Sequence, residues 1–121
     1  NDVLMLMFSV RLLHFIAGVF ADSIGPNDKD TNVIIREGES VTLRCSYDAS
    51  SSYVYIYWYR QYPNSEPEYL LWKGARSYEG EHKIEQRFQP TSSQSSTELI
   101  INSVTLSDSA LYYCALRVDA Q

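Results

Sequence analysis

The sequence predicts an all-β fold, an antiparallel sandwich built from many short strands. Segments of strand length alternate apolar and polar residues, turn residues separate them, and no helical period appears. Cys45, Trp58 and Cys114 are a second sign, since a tryptophan between two widely spaced cysteines is typical of one kind of sandwich core. The length of 121 residues favours a single domain.

The predicted strands follow one another along the chain. The clearest is 40–48, where Val41, Leu43 and Cys45 share one face and polar residues occupy the other, which is the pattern of a half-buried strand. The other strands are expected at 23–30 (broken by turn residues), 32–36, 54–62, 68–72, 97–101 and the segment that ends at Cys114. Polar loops are expected at 49–53, 73–80 and 90–96. The side chains expected in the core are Leu43, Trp58, Phe88, Leu99, Ile101 and Tyr112.

The end of the sequence carries motifs that point to a family. Residues 108–114 (DSALYYC) place a tyrosine two positions before the second cysteine, and residues 58–61 read WYRQ. Together with residues 114–117 (CALR), they make the stretch from about 29 to 117 resemble a T-cell receptor alpha or delta chain variable segment of the immunoglobulin V-set. The resemblance implies an immunoglobulin-like V-type β-sandwich. Because only residues 117–121 follow the start of the third loop, the final, joining strand is expected to be missing.

Cys45 and Cys114 are expected to form a disulfide between the two sheets, with Trp58 packed on it, as the resemblance implies. Two free thiols are the alternative, but the leader-like start of the chain favours an oxidising compartment. In the chain-entropy model, closing a loop of this size contributes about 4 kcal/mol to stability.

Several further residues are expected to be structural. Tyr112 is a candidate tyrosine corner, whose hydroxyl would bind a backbone group near 106–108. The resemblance implies that Asp108 pairs with Arg87, and Arg60 on an inner strand face is a competing partner. A solvated aspartate is the alternative, but an inward arginine needs a counter-charge.

One sheet face carries residues that core packing does not explain. Strand parity places Tyr59, Gln61 and Tyr113 on the outside of one sheet, and Leu71 is assigned to the same surface. The resemblance implies that this face pairs with the variable domain of a beta or gamma chain, and that Gln61 hydrogen-bonds its equivalent there. A solvated face is the alternative, but aromatic side chains around a glutamine are more typical of an interface.

Three segments are expected to form antigen-contact loops, as the resemblance implies: 48–55, 73–78 and the residues after Cys114. They mix Tyr, which gives rigid contact area, with Ser, which gives adaptable hydrogen bonding; ordinary exposed loops are the alternative. The expected contact residues are Ser51, Ser52, Tyr53, Tyr55, Lys73, Arg76, Tyr78, Leu116 and Arg117. The implied ligand is peptide held by a major histocompatibility molecule. Signalling is implied to run through membrane subunits that associate by way of a constant region.

Residues 1–21 are expected to be a secretory signal peptide, which leaves 22–121 as the V-type domain. Residues 3–20 are mostly apolar, but Arg11 interrupts them, so they are a poor membrane span. Small residues that end at Ala21 suit a cleavage site. An N-terminal anchor helix is the alternative. The implied location is the extracellular side of the plasma membrane, reached through the secretory pathway and held by an anchor outside this chain.

The residue inventory argues against catalysis and against nucleic-acid binding. A net charge of −5 gives no basic footprint for nucleic acid. His14 falls in the expected leader, His82 stands alone, and both cysteines are committed, so no pair of nucleophile and base remains. The sequence shows no metal-ligand cluster and no Gly-rich phosphate loop, so no cofactor is expected.

Two alternatives within the same fold stay open. One is an antibody variable segment, although residues 58–61 and the run 97–114 resemble alpha or delta chains more closely. The other is a stand-alone V-type receptor or adhesion domain, which would normally carry its own last strand, stalk and membrane span.

Overall fold

The computed structural model describes residues 3–8, 22–26 and 32–119, which form ten β-strands and one 3₁₀ turn. The strands are β1 (Val3–Phe8), β2 (Ser23–Pro26), β3 (Asn32–Arg36), β4 (Val41–Asp48), β5 (Tyr53–Gln61), β6 (Glu68–Arg76), β7 (Glu81–Lys83), β8 (Phe88–Ser92), β9 (Ser96–Ile101) and β10 (Leu111–Asp119), and the 3₁₀ turn is Leu106–Asp108. Within these ranges, no helix is long and apolar enough to cross a membrane. The predicted all-β class is confirmed.

The strands form two sheets that pack face to face. The front sheet has the order β3-β1-β10-β5-β6-β7, and the back sheet has the order β2-β4-β9-β8. The paired strands within both sheets are antiparallel, apart from β1 and β10, which run parallel. The predicted antiparallel sandwich is therefore confirmed, with β5 and β10 in the middle of the front sheet.

Alternate side chains of both sheets fill the space between them. The exposure of side chains along β4 and β5 changes from one residue to the next, because successive side chains of a strand point to opposite faces. The six side chains predicted for the core are at most 3% exposed: Leu43, Trp58, Phe88, Leu99, Ile101 and Tyr112.

A disulfide between Cys45 of β4 and Cys114 of β10 joins the two sheets, with 6.7 Å between the Cα atoms. Trp58 lies opposite Cys114 in the β5–β10 pair and is fully buried. The predicted disulfide is confirmed. Its covalent bond holds β10, which also carries residues of the outer sheet face, against the back sheet.

Asp108 is the centre of a polar cluster at the end of the sandwich where β10 begins. Its side chain is 1% exposed and accepts hydrogen bonds from Arg87 Nη1 at 2.8 Å and Nη2 at 2.9 Å. The Thr105 N–H donates to the same carboxylate at 2.8 Å. Tyr112 Oη donates to the Asp108 carbonyl at 2.6 Å, which is the geometry of a tyrosine corner.

Arg60 takes a different main partner from Arg87. Its guanidinium lies 2.6 Å from Glu68 Oε1. The distance from Arg60 Nη1 to Asp108 Oδ1 is longer, 3.8 Å, which is beyond hydrogen-bond range. The two arginines expected to compete for Asp108 therefore share it unequally. Arg87 makes the hydrogen bonds, and Arg60 adds a longer-range charge.

Two strands extend into segments that the sequence predicts as loops. β6 continues to Arg76 because pairing with β5 satisfies its backbone groups as far as the Tyr53–Arg76 pair. β8 continues to Ser92, which leaves only 93–95 as the turn to β9. Polar side chains predict a loop in both places, but one solvated sheet face accommodates them equally well.

Part of the expected signal peptide forms strand β1. This strand lies between β3 and β10 and pairs with β3 from Val3↔Arg36 to Met7↔Asn32. An extended apolar segment satisfies backbone groups that the edges of β3 and β10 would otherwise leave unpaired. Residues 9–21, including the expected cleavage site, lie outside the described residues, so removal of the leader stays a prediction.

Candidate recognition surface

The outer face of the front sheet is centred on Gln61 of β5 and Tyr113 of β10. Tyr113 Oη donates to Gln61 Oε1 at 2.5 Å, and Gln61 Nε2 donates to the Ser65 carbonyl at 2.8 Å. These two bonds hold the side-chain amide in one orientation. The amide retains one N–H and one lone pair for a further partner.

Three tyrosines extend this surface. The ring centroids of Tyr57, Tyr59 and Tyr69 lie 6.2–6.4 Å from one another, and Tyr69 Oη forms a hydrogen bond of 2.7 Å with His82 Nδ1. Burial raises the pKa of Tyr59 and of Tyr69 above the ordinary tyrosine value of about 10, so both hydroxyls, already neutral at physiological pH, remain able to donate hydrogen bonds. We call the surface formed by Tyr57, Tyr59, Gln61, Tyr69 and Tyr113 the aromatic face. Tyr113 is buried, at 5% exposure, and the other four side chains are partly accessible.

The prediction that Leu71 lies on this face is wrong. Leu71 is fully buried in the core and pairs with the inward-facing Trp58. The register of β5 and β6 shifts between Trp58 and Tyr59, so Leu70 and Leu71 both point inward and Tyr69 takes the outer position opposite Tyr59. A bulge of this kind reverses strand parity, and the sequence carries no signal for it.

The loop end of the sandwich lies at the opposite end of β10 from Asp108. The first loop is 49–52, between β4 and β5, and the second loop is 77–80, between β6 and β7. The residues after Cys114 stay in β10 and pair with β5 as far as Asp119↔Tyr53. All three predicted contact segments are thus anchored by strand pairing for much of their length.

Two of the predicted contact residues are buried. Leu116 is 1% exposed, because it lies opposite Ile56 and continues the inner face of β10. Ser51 is 7% exposed; its Oγ donates to the Asp119 carbonyl at 2.6 Å and accepts from the Tyr53 N–H at 3.0 Å. Both residues shape the loop end from within, so their assignment as antigen contacts is wrong.

Lys73 and Arg76 already have partners within the chain. Lys73 lies in β6 and forms a salt bridge of 3.2 Å with Glu81 of β7. Arg76 Nη1 donates to the Ala49 carbonyl at 2.6 Å and to the Ser51 carbonyl at 2.7 Å. The Arg76 guanidinium is directed at carbonyls of the chain and is not a free contact for a ligand. Lys73 makes only a partly exposed salt bridge and has further N–H donors, so its role as an antigen contact stays a prediction.

The accessible aromatic side chains gather on the second loop and its neighbours. The ring centroids of Tyr55 and Tyr78 are 4.3 Å apart, and Trp72 lies 5.7 Å from Tyr55 and 5.9 Å from Tyr78. A hydrogen bond with Tyr78 raises the pKa of Tyr55 to about 12. Arg117 is exposed and its guanidinium lies 4.8 Å from the Tyr55 ring centroid. We call these four residues the loop-end cluster.

Glycine at position 74 permits the Tyr78 ring to fold back on β6. A Cβ at Gly74 would lie 2.6 Å from Tyr78 Cδ2 and 2.7 Å from the Tyr78 carbonyl oxygen. Real Cβ atoms do not approach other atoms so closely. Gly74 is therefore required for the packing of the loop-end cluster.

Two more predicted contact residues remain accessible on the first loop and the start of β5. Tyr53 is 41% exposed and Ser52 is partly exposed. The sequence interpretation misses Trp72, because the bulge in β6 inverts the parity that would have assigned it. It also omits Tyr69, although Tyr69 shares its parity with Leu71, which it assigns to the outer face. Tyr57 has the correct parity from β5 alone and is a further residue that the sequence signals.

Within the described ranges, no group of three or more His, Cys, Asp and Glu side chains is placed to hold a metal ion. His82 is exposed and hydrogen-bonded to Tyr69. The polar groups of the aromatic face are hydroxyls and an amide, which suit recognition by hydrogen bonding and aromatic contact.

Comparison with known proteins agrees with this geometry. The immunoglobulin V-set domain family matches residues 28–121. The human (Homo sapiens) T cell receptor alpha variable 18 is 46% identical over 87 residues, which cover 70% of this chain and 74% of that protein. The human T cell receptor alpha variable 3 is 36% identical over 110 residues, 89% of this chain and 92% of that protein. The human T cell receptor alpha variable 14/delta variable 4 is 34% identical over 87 residues, 70% of this chain and 73% of that protein.

The family match covers nearly all of the described V-type sandwich. The stretches aligned with the three relatives cover most of this chain and most of each relative. The V-set is a family of receptor domains rather than of enzymes. The chain therefore belongs to the immunoglobulin V-set and, within it, to the T-cell receptor alpha-type variable segments, which makes it an antigen-recognition variable domain.

Proposed function

We propose that this domain pairs through its aromatic face with the variable domain of a T-cell receptor beta or gamma chain. The observation that carries the proposal is the hydrogen bond from the buried Tyr113 to the partly accessible Gln61, beside three partly accessible tyrosines. The Gln61 amide is held in one orientation but can still donate and accept one hydrogen bond each. It could therefore bond to the equivalent glutamine of a partner domain. Tyrosine-rich patches of this composition are typical of interface anchors.

We propose further that the paired domains recognise peptide held by a major histocompatibility molecule. The loop-end cluster, Ser52 and Tyr53 supply rigid aromatic area and small hydroxyls, the combination that recognition loops use. The domain would act at the extracellular side of the plasma membrane, after passage through the secretory pathway, and would signal through associated membrane subunits. The disulfide supports an oxidising, extracellular setting.

Changing Gln61→Glu together with Tyr113→Phe is expected to reduce pairing at least tenfold. The second change removes the hydroxyl that orients the side chain, and the first places a carboxylate at an interface where its desolvation is unfavourable. The measurement is the yield of secreted heterodimer when the receptor chain that carries this variable segment is co-expressed with beta or gamma chains.

The matched control is Glu98→Gln, which breaks the exposed Arg44–Glu98 salt bridge on the back sheet and should leave pairing unchanged. Secretion of the double variant as a folded, disulfide-bonded chain would show that the loss concerns pairing alone. An unaltered heterodimer yield for a folded double variant would remove the aromatic face from the interface.

A further inference from the structure

Arg76 connects segments that are far apart in the sequence. Its Nη1 donates to the Ala49 and Ser51 carbonyls of the first loop at 2.6 and 2.7 Å. Its Nε donates to the Gln94 carbonyl, in the turn between β8 and β9, at 3.0 Å. The guanidinium carbon lies 5.2 Å from the centroid of the Tyr47 ring. Only a planar guanidinium offers several fixed donors together with a face that stacks on an aromatic ring.

Backbone and hydroxyl contacts extend the same network across the loop end. The Ser77 N–H of the second loop donates to the Ser52 carbonyl of the first loop at 2.9 Å. Ser92 Oγ donates to the Gly74 carbonyl at 2.8 Å, which ties β8 to β6 beside Arg76. The first loop thus contacts the second loop on one side, and Ser51 Oγ contacts the end of β10 on the other.

The backbone of Arg76 has an unfavourable conformation. Its φ is 60°, in the left-handed region where a residue with a Cβ is disfavoured. Such a conformation persists only where surrounding contacts over-determine it. The three carbonyls and the Tyr47 ring are those contacts, so the strained φ and the guanidinium bonds belong to one arrangement.

We propose that Arg76 is the positioning residue that fixes the first loop, the second loop and the 93–95 turn as one preformed recognition surface. The proposal rests on the proposed function, in which the loop end contacts the ligand. Arg76 itself contacts no ligand in this account, because its donors are directed at carbonyls of the same chain. A preformed surface avoids the loss of loop entropy on binding, so the accessible side chains would be presented in one geometry.

The test uses amide hydrogen exchange on the full chain with Arg76→Gly and Arg76→Lys. Glycine accepts the positive φ but removes the guanidinium. Lysine keeps the positive charge but lacks the planar set of N–H donors of arginine. In both variants, exchange at 49–53 and 77–80 is expected to rise at least tenfold, while 97–101 and 111–115 stay within twofold of the unsubstituted chain. Arg44→Ala, which removes an exposed arginine from the back sheet, is expected to change none of these segments.

A coupling experiment separates positioning from simple stability. Ser51→Ala in the unsubstituted chain is expected to raise exchange at the Ser93 amide, in the 93–95 turn, severalfold, because Arg76 binds both the Ser51 and the Gln94 carbonyls. In the Arg76→Gly background the same substitution should leave Ser93 exchange unchanged. Equal responses in both backgrounds would overturn the proposal, as would a uniform rise across all strands or no rise at 49–53 in Arg76→Gly. The exchange data need neither partner chain nor ligand, so their failure is distinguishable from a failure of pairing.

Discussion

Replacing Asp108 with asparagine is expected to lower the free energy of unfolding by about 3 kcal/mol, the range seen when one member of a buried ion pair is removed. The Asp108 side chain is 1% exposed, and its carboxylate balances the hydrogen-bonded Arg87 and the more distant Arg60. Asparagine has nearly the same shape but leaves both guanidinium groups without this counter-charge. Equilibrium unfolding in urea measures the change.

The matched control for Asp108 is again Glu98→Gln. It breaks a salt bridge of 2.7 Å between side chains that are 55% and 35% exposed, where solvent screening limits the change to about 0–1 kcal/mol. Equal losses from Asp108→Asn and Glu98→Gln would contradict a special role for the buried cluster.

The same carboxylate gives the stability a defined pH dependence. Burial alone would raise the pKa of Asp108, but hydrogen bonds from Arg87 and the Thr105 N–H, with the charges of Arg87 and Arg60, hold that pKa below its usual value. A lowered pKa in the folded state contributes stability that is complete above the unfolded-state pKa of about 4. That stability is lost as the pH falls through the lower folded-state pKa. The Asp108→Asn chain should therefore lose less stability than the unsubstituted chain as the pH falls below about 4.

Replacing both Cys45 and Cys114 with alanine is expected to lower the free energy of unfolding by about 4 kcal/mol, since the bridge closes a loop of 69 residues. Typical domains have only about 5–15 kcal/mol in total, so much of the substituted chain should be retained or degraded before secretion. Urea unfolding curves of the oxidised protein and of the double variant give the two free energies of unfolding, each from its midpoint and slope.

Asp48→Asn is the control for the cysteine pair, because Asp48 is an exposed residue of the same strand, β4. It is expected to change the free energy of unfolding by no more than about 0.5 kcal/mol, the range of ordinary surface substitutions. A loss below about 1 kcal/mol for the double-cysteine variant would contradict the stabilising role of the bridge.

The inner face of the sandwich could be predicted from the sequence because its signals are local or fixed in spacing. Alternation in 40–48 places Leu43 and Cys45 in the core, and the offset between Tyr112 and Cys114 predicts the tyrosine corner that the structure contains. Burial follows from period two wherever the strand is regular. The Gln61–Tyr113 contact also follows from parity, because β5 and β10 pair without interruption.

The loop end could not be predicted to the same depth, because irregular backbone decides it. The bulge between β5 and β6 turns Leu71 inward and leaves Trp72 on the partly accessible outer face. Arg76 is a long cationic side chain in a loop-like segment, so the sequence suggests a ligand contact. In the structure it has a positive φ and donates hydrogen bonds to three carbonyls of its own chain. The type of a loop residue indicates which interactions its side chain can make. Only the tertiary contacts decide which of the loop side chains remain accessible.

Co-secretion with a panel of beta and gamma chains is the most direct test of the pairing that the aromatic face supports. The receptor chain that carries this variable segment would be expressed with each candidate, and the size of the secreted product and the solvent protection of Tyr57, Tyr59 and Tyr69 would be measured. We expect a one-to-one heterodimer with at least one candidate and protection of all three tyrosines within it. Secretion as a stable monomer with every candidate, or a heterodimer in which the three tyrosines stay accessible, would contradict pairing through the aromatic face.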